Sequence, residues 1–177
     1  MKLPKELQNK KEVEQDRQIN SNPSSRTRNL REIKIKEYLS ELSAHRKEQV
    51  PKQIYQIKIL IEESNPPIWR RVLISNDTYL GDFHESIENW FDWSGFHIHD
   101  FIFFLDPHDD IEVSTQEYDL NEYGIRLCDV FREELRTIMY MYDPGDNWLH
   151  RITLEKVFPN DGYFDGPICV GGERASP

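Results

Sequence analysis

The spacing of apolar residues changes at residue 54 of this 177-residue chain. Over residues 55–61, apolar residues alternate with polar ones, which is the two-residue period of a strand with one buried face. Residues 1–29 contain no aromatic residue and are rich in Lys, Glu, Gln, Asn and Ser. Such a segment cannot bury enough apolar surface to offset its chain entropy. We therefore predict a disordered leader over residues 1–29 and a folded domain over residues 53–177.

The segment between them, residues 30–52, has the pattern of an amphipathic helix. Ile35, Leu39 and Leu42 are spaced i, i+4, i+7 among Lys and Glu residues, which puts them on one narrow apolar stripe. Pro51 ends this pattern because proline does not continue a helix. We predict a linker helix that packs against the folded domain or against a partner.

Charge is distributed unevenly along the chain. Residues 1–53 carry 13 Lys and Arg against 8 Asp and Glu, a net charge of +5, whereas residues 54–177 carry 9 against 24, a net charge of −15. Phosphate contacts require Lys and Arg, so nucleic acid is expected to bind only through residues 1–50. The basic residues available there are Arg26, Arg28, Arg31, Lys34 and Lys36.

Neither a membrane span nor a secretory signal is visible in the sequence. No run approaches the roughly 18 apolar residues that a membrane helix requires, and the longest candidate, residues 101–105, suits a strand. The first lysines are not followed by an apolar segment of the kind found in signal peptides. These features predict a cytoplasmic protein that has no membrane partner.

The pattern over residues 53–177 predicts an α+β fold. Its main part is an antiparallel sheet with one principal packed helix, and a β-grasp-like arrangement is the more specific expectation. The helix is expected to begin at Leu80, after a capping cluster at residues 75–78, and to end before Gly95. The other predicted elements are strands at 54–61, 68–74, 97–105, 137–142 and 148–157, a short helix at 127–135, and turns at 65–67, 106–110 and 143–146.

Short motifs follow one another in a fixed order along this domain. They are Tyr55-Gln-Ile-Lys58, Pro66-Pro-Ile-Trp-Arg-Arg71, Leu80 with His84, Trp93, His97-x-His99-x-Phe101, Tyr140-x-Tyr-Asp143 with Gly145-Asp146, Trp148-x-His150, and Gly172-Glu-Arg-Ala175. Together they resemble the plasmid pRiA4b ORF-3-like family, from about residue 54 to the last residue. The resemblance implies an uncharacterised passenger protein of plasmids or mobile elements.

Some members of that family carry the label of a putative resolvase (TnpR), which this sequence does not support. A tyrosine recombinase needs a His-x-x-Arg pair, and no histidine of the chain is followed by arginine three positions later. The chain also departs from the family pattern at Pro144, Leu149 and Ser176, where the family usually has an aromatic, an acidic and a cysteine residue. The family pattern continues past residue 177, so the domain is expected to be truncated at its C-terminus.

Four histidines lie within these motifs. His97 and His99 are expected on one face of a strand, because residues i and i+2 share a side, and that spacing can direct two imidazoles at one metal ion. His150 would complete a site for Zn or a similar divalent ion, with His84 and an oxygen ligand from Asp143 or Asp146 nearby. The alternative interpretation is that these histidines lie at the ends of the buried apolar faces of their elements and make hydrogen bonds to backbone groups.

A second group of candidates surrounds the Trp69-Arg70-Arg71 segment. Two successive arginines point to opposite faces of a strand, and at least one is expected to form a bidentate pair with a carboxylate. The other can serve as a hook for an anion or a carboxylate. The full set of ligand-binding candidates is Trp69, Arg70, Arg71, His84, Asp143, Asp146, Trp148, Glu173 and Arg174.

Three functions are compatible with this pattern, and no catalytic residue can be assigned from it. The favoured interpretation is a non-enzymatic binding or adaptor module for a protein or a small ligand, with an aromatic and histidine-lined pocket and no firmly predicted cofactor. The second is a metal-dependent hydrolase or nuclease that uses His97, His99, His150 and Asp146. The third is a DNA-binding accessory protein that acts through its basic N-terminal segment.

Overall fold

The computed structural model describes residues 30–38, 40, 51–105, 111–164 and 166–177. The chain divides into two compact units, Met1–Ser43 and Ala44–Pro177. In the first unit, helix α1 covers residues 30–38 and 40, within the predicted linker helix. The predicted leader over residues 1–29 and the predicted turn at 106–110 lie outside the described residues.

An antiparallel sheet forms the second unit. Its strand order is β4-β3-β5-β6-β1-β2-β7, and the neighbouring strands pair antiparallel throughout the described part of the chain. The strands are β1 (Gln53–Ile61), β2 (Trp69–Ser75), β3 (His99–Phe104), β4 (Glu112–Ser114), β5 (Thr137–Tyr142), β6 (Trp148–Pro159) and β7 (Ile168–Glu173). Helical segments are few: α2 (Leu80–Phe91), a 3₁₀ turn (Glu122–Gly124) and α3 (Leu127–Val130).

The fold is therefore mainly β with some helix, which confirms the mainly antiparallel sheet. The finer expectation of a β-grasp-like arrangement is not confirmed by these pairings and stays a prediction. None of the helices within the described ranges is long and apolar enough to cross a bilayer.

Helix α2 packs on one face of the sheet, which we call the helix face. Alternation along β1 places Ile57, Ile59 and Ile61 on that face, where they are completely or almost completely buried. From the helix side, Phe83 stacks on Phe101 of β3 with 6.1 Å between ring centroids. Burial of each such side chain contributes about 2 kcal/mol, so this contact fixes the position of α2 on the strands.

Helix α2 begins at Leu80 and ends before Gly95, as expected, but its two caps differ from those that the sequence suggests. The N-cap is Tyr79, which makes no side-chain cap hydrogen bond, and the predicted cluster at 75–78 lies before it. The first free N–H group of the helix, that of Leu80, donates instead to the carbonyl of Ile125. The helix ends at Phe91 because Asp92 adopts a left-handed conformation with φ of 55°, three residues before Gly95.

Two other elements have different bounds from those predicted, and one strand was not predicted. Strand β3 begins at His99, so His97 lies outside it. The predicted short helix over 127–135 is only four residues long. Strand β7 was not predicted, because its sequence Ile-Cys-Val-Gly-Gly-Glu lacks a clear alternation and carries two residues of low β propensity.

Candidate functional site

Histidine and aromatic side chains gather at one end of the helix face. Strand register places His99 opposite Tyr142 and His150 opposite Tyr140, and residues directly opposite in antiparallel strands share a face. Helix α2 and the segment after it add further side chains. We call the resulting set the helix-face cluster; it comprises His84, Glu88, Phe91, Trp93, His99, Glu122, Tyr140, Tyr142, Trp148 and His150.

His84 lies at the centre of the helical side of this cluster. Its ring stacks on that of His99, with 3.5 Å between centroids and 13° between planes, and its Nδ1 lies 2.8 Å from the Tyr140 hydroxyl. Burial raises the pKa of Tyr140, so that hydroxyl keeps its proton and can donate to Nδ1. Burial, followed by the nearby His99, lowers the pKa of His84 to about 4. His84 is therefore neutral at pH 7.

His99 is held by a carboxylate. Its Nε2 donates to Glu122 Oε2 at 2.8 Å, and the Thr115 hydroxyl donates to Glu122 Oε1 at 2.7 Å. Burial alone raises the pKa of Glu122, but the hydrogen bonds from His99 and Thr115 outweigh it and bring the pKa below its ordinary value. Glu122 is thus a satisfied anion within the cluster.

His150 is completely buried. Its Nδ1 lies 2.9 Å from the carbonyl oxygen of Trp148, and because a carbonyl only accepts, Nδ1 carries the proton. The other nitrogen, Nε2, is buried and has no hydrogen-bond partner. Burial is the largest influence and lowers the pKa of His150 to about 4. Nε2 therefore presents an unused lone pair at pH 7.

Two neighbouring rings also carry unpartnered polar atoms. Trp93 stacks on Tyr142 with 5.0 Å between centroids and meets His150 edge to face at 6.3 Å. The indole Nε1 of Trp93 and the hydroxyl of Tyr142 are buried without a hydrogen-bond partner. Buried polar side-chain atoms normally have at least one partner, so three such atoms on Trp93 and the two rings that it contacts are unusual.

Glu88, next to His84, supplies a fourth unpartnered atom to the cluster. Its Oε1 is buried and makes no hydrogen bond, although His84 Nε2 lies 3.5 Å away. We regard that separation as too long for a useful hydrogen bond, and a neutral His84 gives no ion pair. Burial raises the pKa of Glu88, as expected for a carboxylate without a partner.

His97 does not join His99 as the sequence predicted. His97 precedes β3, and its Nδ1 lies 3.0 Å from Asp143 Oδ2. The ring of His97 contacts Tyr142 edge to face at 5.6 Å, at the rim of the cluster. Asp143 also accepts from the Gly145 N–H at 3.0 Å, and Asp146 is exposed in the same turn.

The predicted metal site gains no support from this geometry. His97, His99 and His150 have three different partners: Asp143, Glu122 and the Trp148 carbonyl. Among the residues that the structure describes, no group of three or more His, Cys, Asp or Glu side chains is arranged to hold a metal ion.

The side chain of Arg70 points to the helix face, where its contacts link neighbouring elements of the fold. Its Nε donates to the carbonyl of Trp90, near the end of α2, at 2.9 Å. Its Nη1 donates to the carbonyl of Arg174, just after β7, at 2.9 Å. The guanidinium lies over the ring of Phe91 at 4.8 Å. Arg70 thus joins β2, α2 and β7, and Arg174 takes part through its backbone.

Arg71, Trp69 and Glu173 lie on the opposite face of the sheet, away from the cluster. Arg71 forms the bidentate pair that the sequence predicts for one arginine, with contacts of 2.6 and 2.8 Å to Glu155. These hydrogen bonds lower the pKa of Glu155 to about 2. Arg71 also lies over the Trp69 ring at 5.0 Å, and the Trp69 indole donates to Glu173 at 3.3 Å.

The structure thus brings together only part of the predicted set. His84, His99, His150 and Trp148 meet in the cluster, with His97 and Asp143 at its rim. Sequence reasoning did not select Glu88, Trp93, Tyr140, Tyr142 or Glu122 as site residues. The i, i+4 spacing of Glu88 from His84 and the i, i+2 spacing of the two tyrosines are signals that point to them, whereas Glu122 lies in a segment without a usable pattern.

Three comparisons with known proteins agree with one another. The family model described as plasmid pRiA4b ORF-3-like protein matches residues 53–177. The uncharacterized protein y4hQ of Sinorhizobium fredii (strain NBRC 101917 / NGR234) is 27% identical over 121 residues, which is 66% of this chain. The chain spans 60% of the length of that relative.

A solved structure shows the same fold. The crystal structure of the protein of unknown function MM3350 from Methanosarcina mazei Go1 matches with a TM-score of 0.65 and 30% identity, over 72% of this chain and 74% of that one. Neither relative's name gives an activity. Because the family match covers residues 53–177, most of its length, this chain belongs to the plasmid pRiA4b ORF-3-like family.

Proposed function

We propose that this domain is a non-enzymatic binding module whose ligand site is the helix-face cluster. The observation that carries the proposal is the set of three unpartnered polar atoms on contacting rings: His150 Nε2, Tyr142 OH and Trp93 Nε1. Leaving a buried polar group unsatisfied costs about 1–3 kcal/mol. Phenylalanine in place of Tyr142 would avoid this cost, so folding alone does not account for these atoms.

The acid–base properties of the cluster favour binding over catalysis. A general acid or base works best when its pKa lies near the working pH, whereas the pKa values of His84 and His150 are about 4. Burial also raises the pKa of the Cys128 thiol to about 11, which makes it a poor nucleophile. Neutral imidazoles of this kind are suited to hydrogen bonding with a ligand.

The proposal is tested by NMR with the 15N-labelled full chain. Probes of four chemistries, namely an alkylammonium, a carboxylate, a primary amide and an alcohol of similar size, are added at millimolar concentration. At least one should shift the indole N–H signal of Trp93, assigned from a Trp93→Phe spectrum. The signal of Trp69, on the opposite face, should stay in place. If no probe moves the Trp93 signal, the helix-face cluster is not a ligand site.

The other two functions stay predictions. The metal-dependent alternative has no group of ligands among the described residues. The DNA-binding alternative depends on Arg26 and Arg28, which lie outside the described residues, and on Arg31, Lys34 and Lys36 of α1. Location in the cytoplasm and a link to mobile elements are likewise part of our proposal.

A further inference from the structure

The polar atoms that the helix-face cluster leaves unused are mostly acceptors. Glu88 Oε1 and His150 Nε2 offer only lone pairs, because the first belongs to a carboxylate and the second to an imidazole protonated at Nδ1. The Tyr142 hydroxyl can both accept and donate. Trp93 Nε1 is the one pure donor in this set. A ligand that matches the set must therefore bring N–H or O–H groups.

The charge of the cluster has the same implication. Besides the two carboxylates, Glu88 and Glu122, its ionisable side chains include three histidines, of which the buried His84 and His150 are neutral at pH 7. Glu122 is already paired with His99, so Glu88 is the acidic group left without a hydrogen bond at Oε1. An anionic ligand would meet Glu88 with Trp93 as its principal donor, which is unfavourable.

Aromatic rings are a further part of the cluster. Trp93 lies between Tyr142 and Trp148, with centroid distances of 5.0 and 5.8 Å, and it also stacks near Phe91 at 6.4 Å. The negative face of an aromatic ring attracts a cation, most strongly for tryptophan. Aromatic rings in the same cluster as a carboxylate oxygen without a hydrogen bond favour an organic cation over a neutral molecule.

Building on the proposed function, we propose that the helix-face cluster binds a primary alkylammonium group. Its three N–H donors are complementary to the acceptors Glu88 Oε1, His150 Nε2 and the Tyr142 hydroxyl, which lack partners, and its carbon chain suits the aromatic rings around Trp93. The same chemistry is present in a free amine and in a lysine side chain. Phe96 and Ile98, which are 90% and 65% exposed, flank His97 at the rim and provide an apolar surface for either source.

The test compares three probes of nearly equal shape on the full chain: n-butylammonium, 1-butanol and butyrate. Each is titrated while the Trp93 indole N–H signal is followed. We expect n-butylammonium to bind about tenfold or more tightly than 1-butanol, because only the cation gains from Glu88 and the ring faces. Binding of 1-butanol or butyrate without preference for the cation would overturn this inference but leave the binding module intact. Binding of none would overturn both.

A pair of charge-matched variants makes the test specific. Glu88→Gln keeps the size of the side chain and should weaken n-butylammonium binding about tenfold while leaving that of 1-butanol unchanged. The control Glu112→Gln removes one charge from β4. Glu112 pairs with Phe104 of β3, and Phe104 lies five residues, or about 16 Å, along that strand from His99. It should change neither affinity. Equal n-butylammonium affinity in Glu88→Gln and wild type would overturn the inference.

A final arm distinguishes the two sources of the ammonium group. A blocked dipeptide that contains one lysine is compared with n-butylammonium and with the same dipeptide containing norleucine. Tighter binding of the lysine dipeptide than of n-butylammonium supports a protein side chain as the ligand. Binding of n-butylammonium alone supports a free amine. If the norleucine dipeptide binds as well as the lysine dipeptide, the ammonium group is not what the site recognises.

Discussion

At the residue scale, His150 is a buried side chain with one ring nitrogen in a hydrogen bond and the other without a partner. Its Nδ1 fixes the ring through the Trp148 carbonyl, which leaves Nε2 inside the cluster. A fully buried imidazole resists protonation because burial penalises its charged form. This property gives the domain a pH dependence that can be measured.

Stability is predicted to fall as the pH is lowered from about 6.5 to about 4. In that window an unfolded His150 binds a proton, whereas the folded one, with a pKa of about 4, does not. The unfolded state therefore holds more protons, so the free energy of unfolding rises with pH across the window and is constant above it. The 2.5-unit difference in pKa corresponds to a loss on the order of 3 kcal/mol.

The measurement is urea unfolding between pH 4 and pH 8, for the wild type and His150→Gln. The glutamine keeps an N–H donor and an acceptor but does not titrate, so its stability should vary less with pH below 6.5. Above pH 7 the two proteins should differ by a constant amount. Parallel curves over the whole range would show that His150 is not the titrating group.

At the element scale, the end of α2 determines where Trp93 enters the cluster. Asp92 takes the left-handed conformation, with φ of 55°, and the Trp93 N–H donates to the carbonyl of Glu88 at 2.9 Å. Because the helix stops there, the indole folds back over Tyr142 and Trp148. A non-glycine residue in this conformation costs free energy that glycine avoids.

Asp92→Gly is therefore predicted to stabilise the domain by about 0.5–1 kcal/mol. The same substitution at Asp82, exposed in the first turn of α2, should destabilise it by about 1 kcal/mol, since glycine is a poor helix residue there. Thermal unfolding of both variants checks the prediction. A lower melting temperature for Asp92→Gly would mean that the Asp92 side chain contributes more than its backbone strain costs.

Elements with strong periodic patterns were predictable, and elements fixed by tertiary contacts were not. Strands β1 and β5 and the apolar face of α2 follow from their spacing alone. Strand β7 depends on pairing with β2, from Leu73↔Ile168 to Trp69↔Glu173, and its own sequence gives little sign of it. The sequence indicates only that α2 ends before Gly95, because an aspartate in the left-handed conformation, such as Asp92, gives no clear signal of its own.

At the scale of the whole molecule, the sheet separates residues that the sequence analysis includes in one set of ligand-binding candidates. Arg71 and Trp69 lie on the face opposite α2, with Glu155 and Glu173, whereas His84, His99 and His150 lie on the helix face. The motifs thus identified all three histidines of the helix-face cluster but not its geometry. Trp93 was missed as a site residue because its role depends on how the segment after α2 folds back on the sheet. Glu88 was missed because its spacing from His84 does not reveal that its Oε1 is buried without a partner.

The central claim is that the unpartnered polar atoms of the helix-face cluster contribute to ligand binding and not to folding. Two tyrosines of β5, Tyr140 and Tyr142, provide the test. Tyr140 has a hydroxyl bonded to His84, whereas the buried hydroxyl of Tyr142 has no partner. Both lose only a hydroxyl on replacement by phenylalanine, so each variant is the control for the other.

The decisive measurement is the free energy of unfolding of Tyr142→Phe and Tyr140→Phe in urea at pH 7.5. We predict that Tyr142→Phe is more stable than the wild type by about 1 kcal/mol, because an unsatisfied buried group is removed, and that Tyr140→Phe is less stable by about 1 kcal/mol, because a hydrogen bond is lost. If Tyr142→Phe is destabilised as much as Tyr140→Phe, its hydroxyl contributes to folding and the account is contradicted.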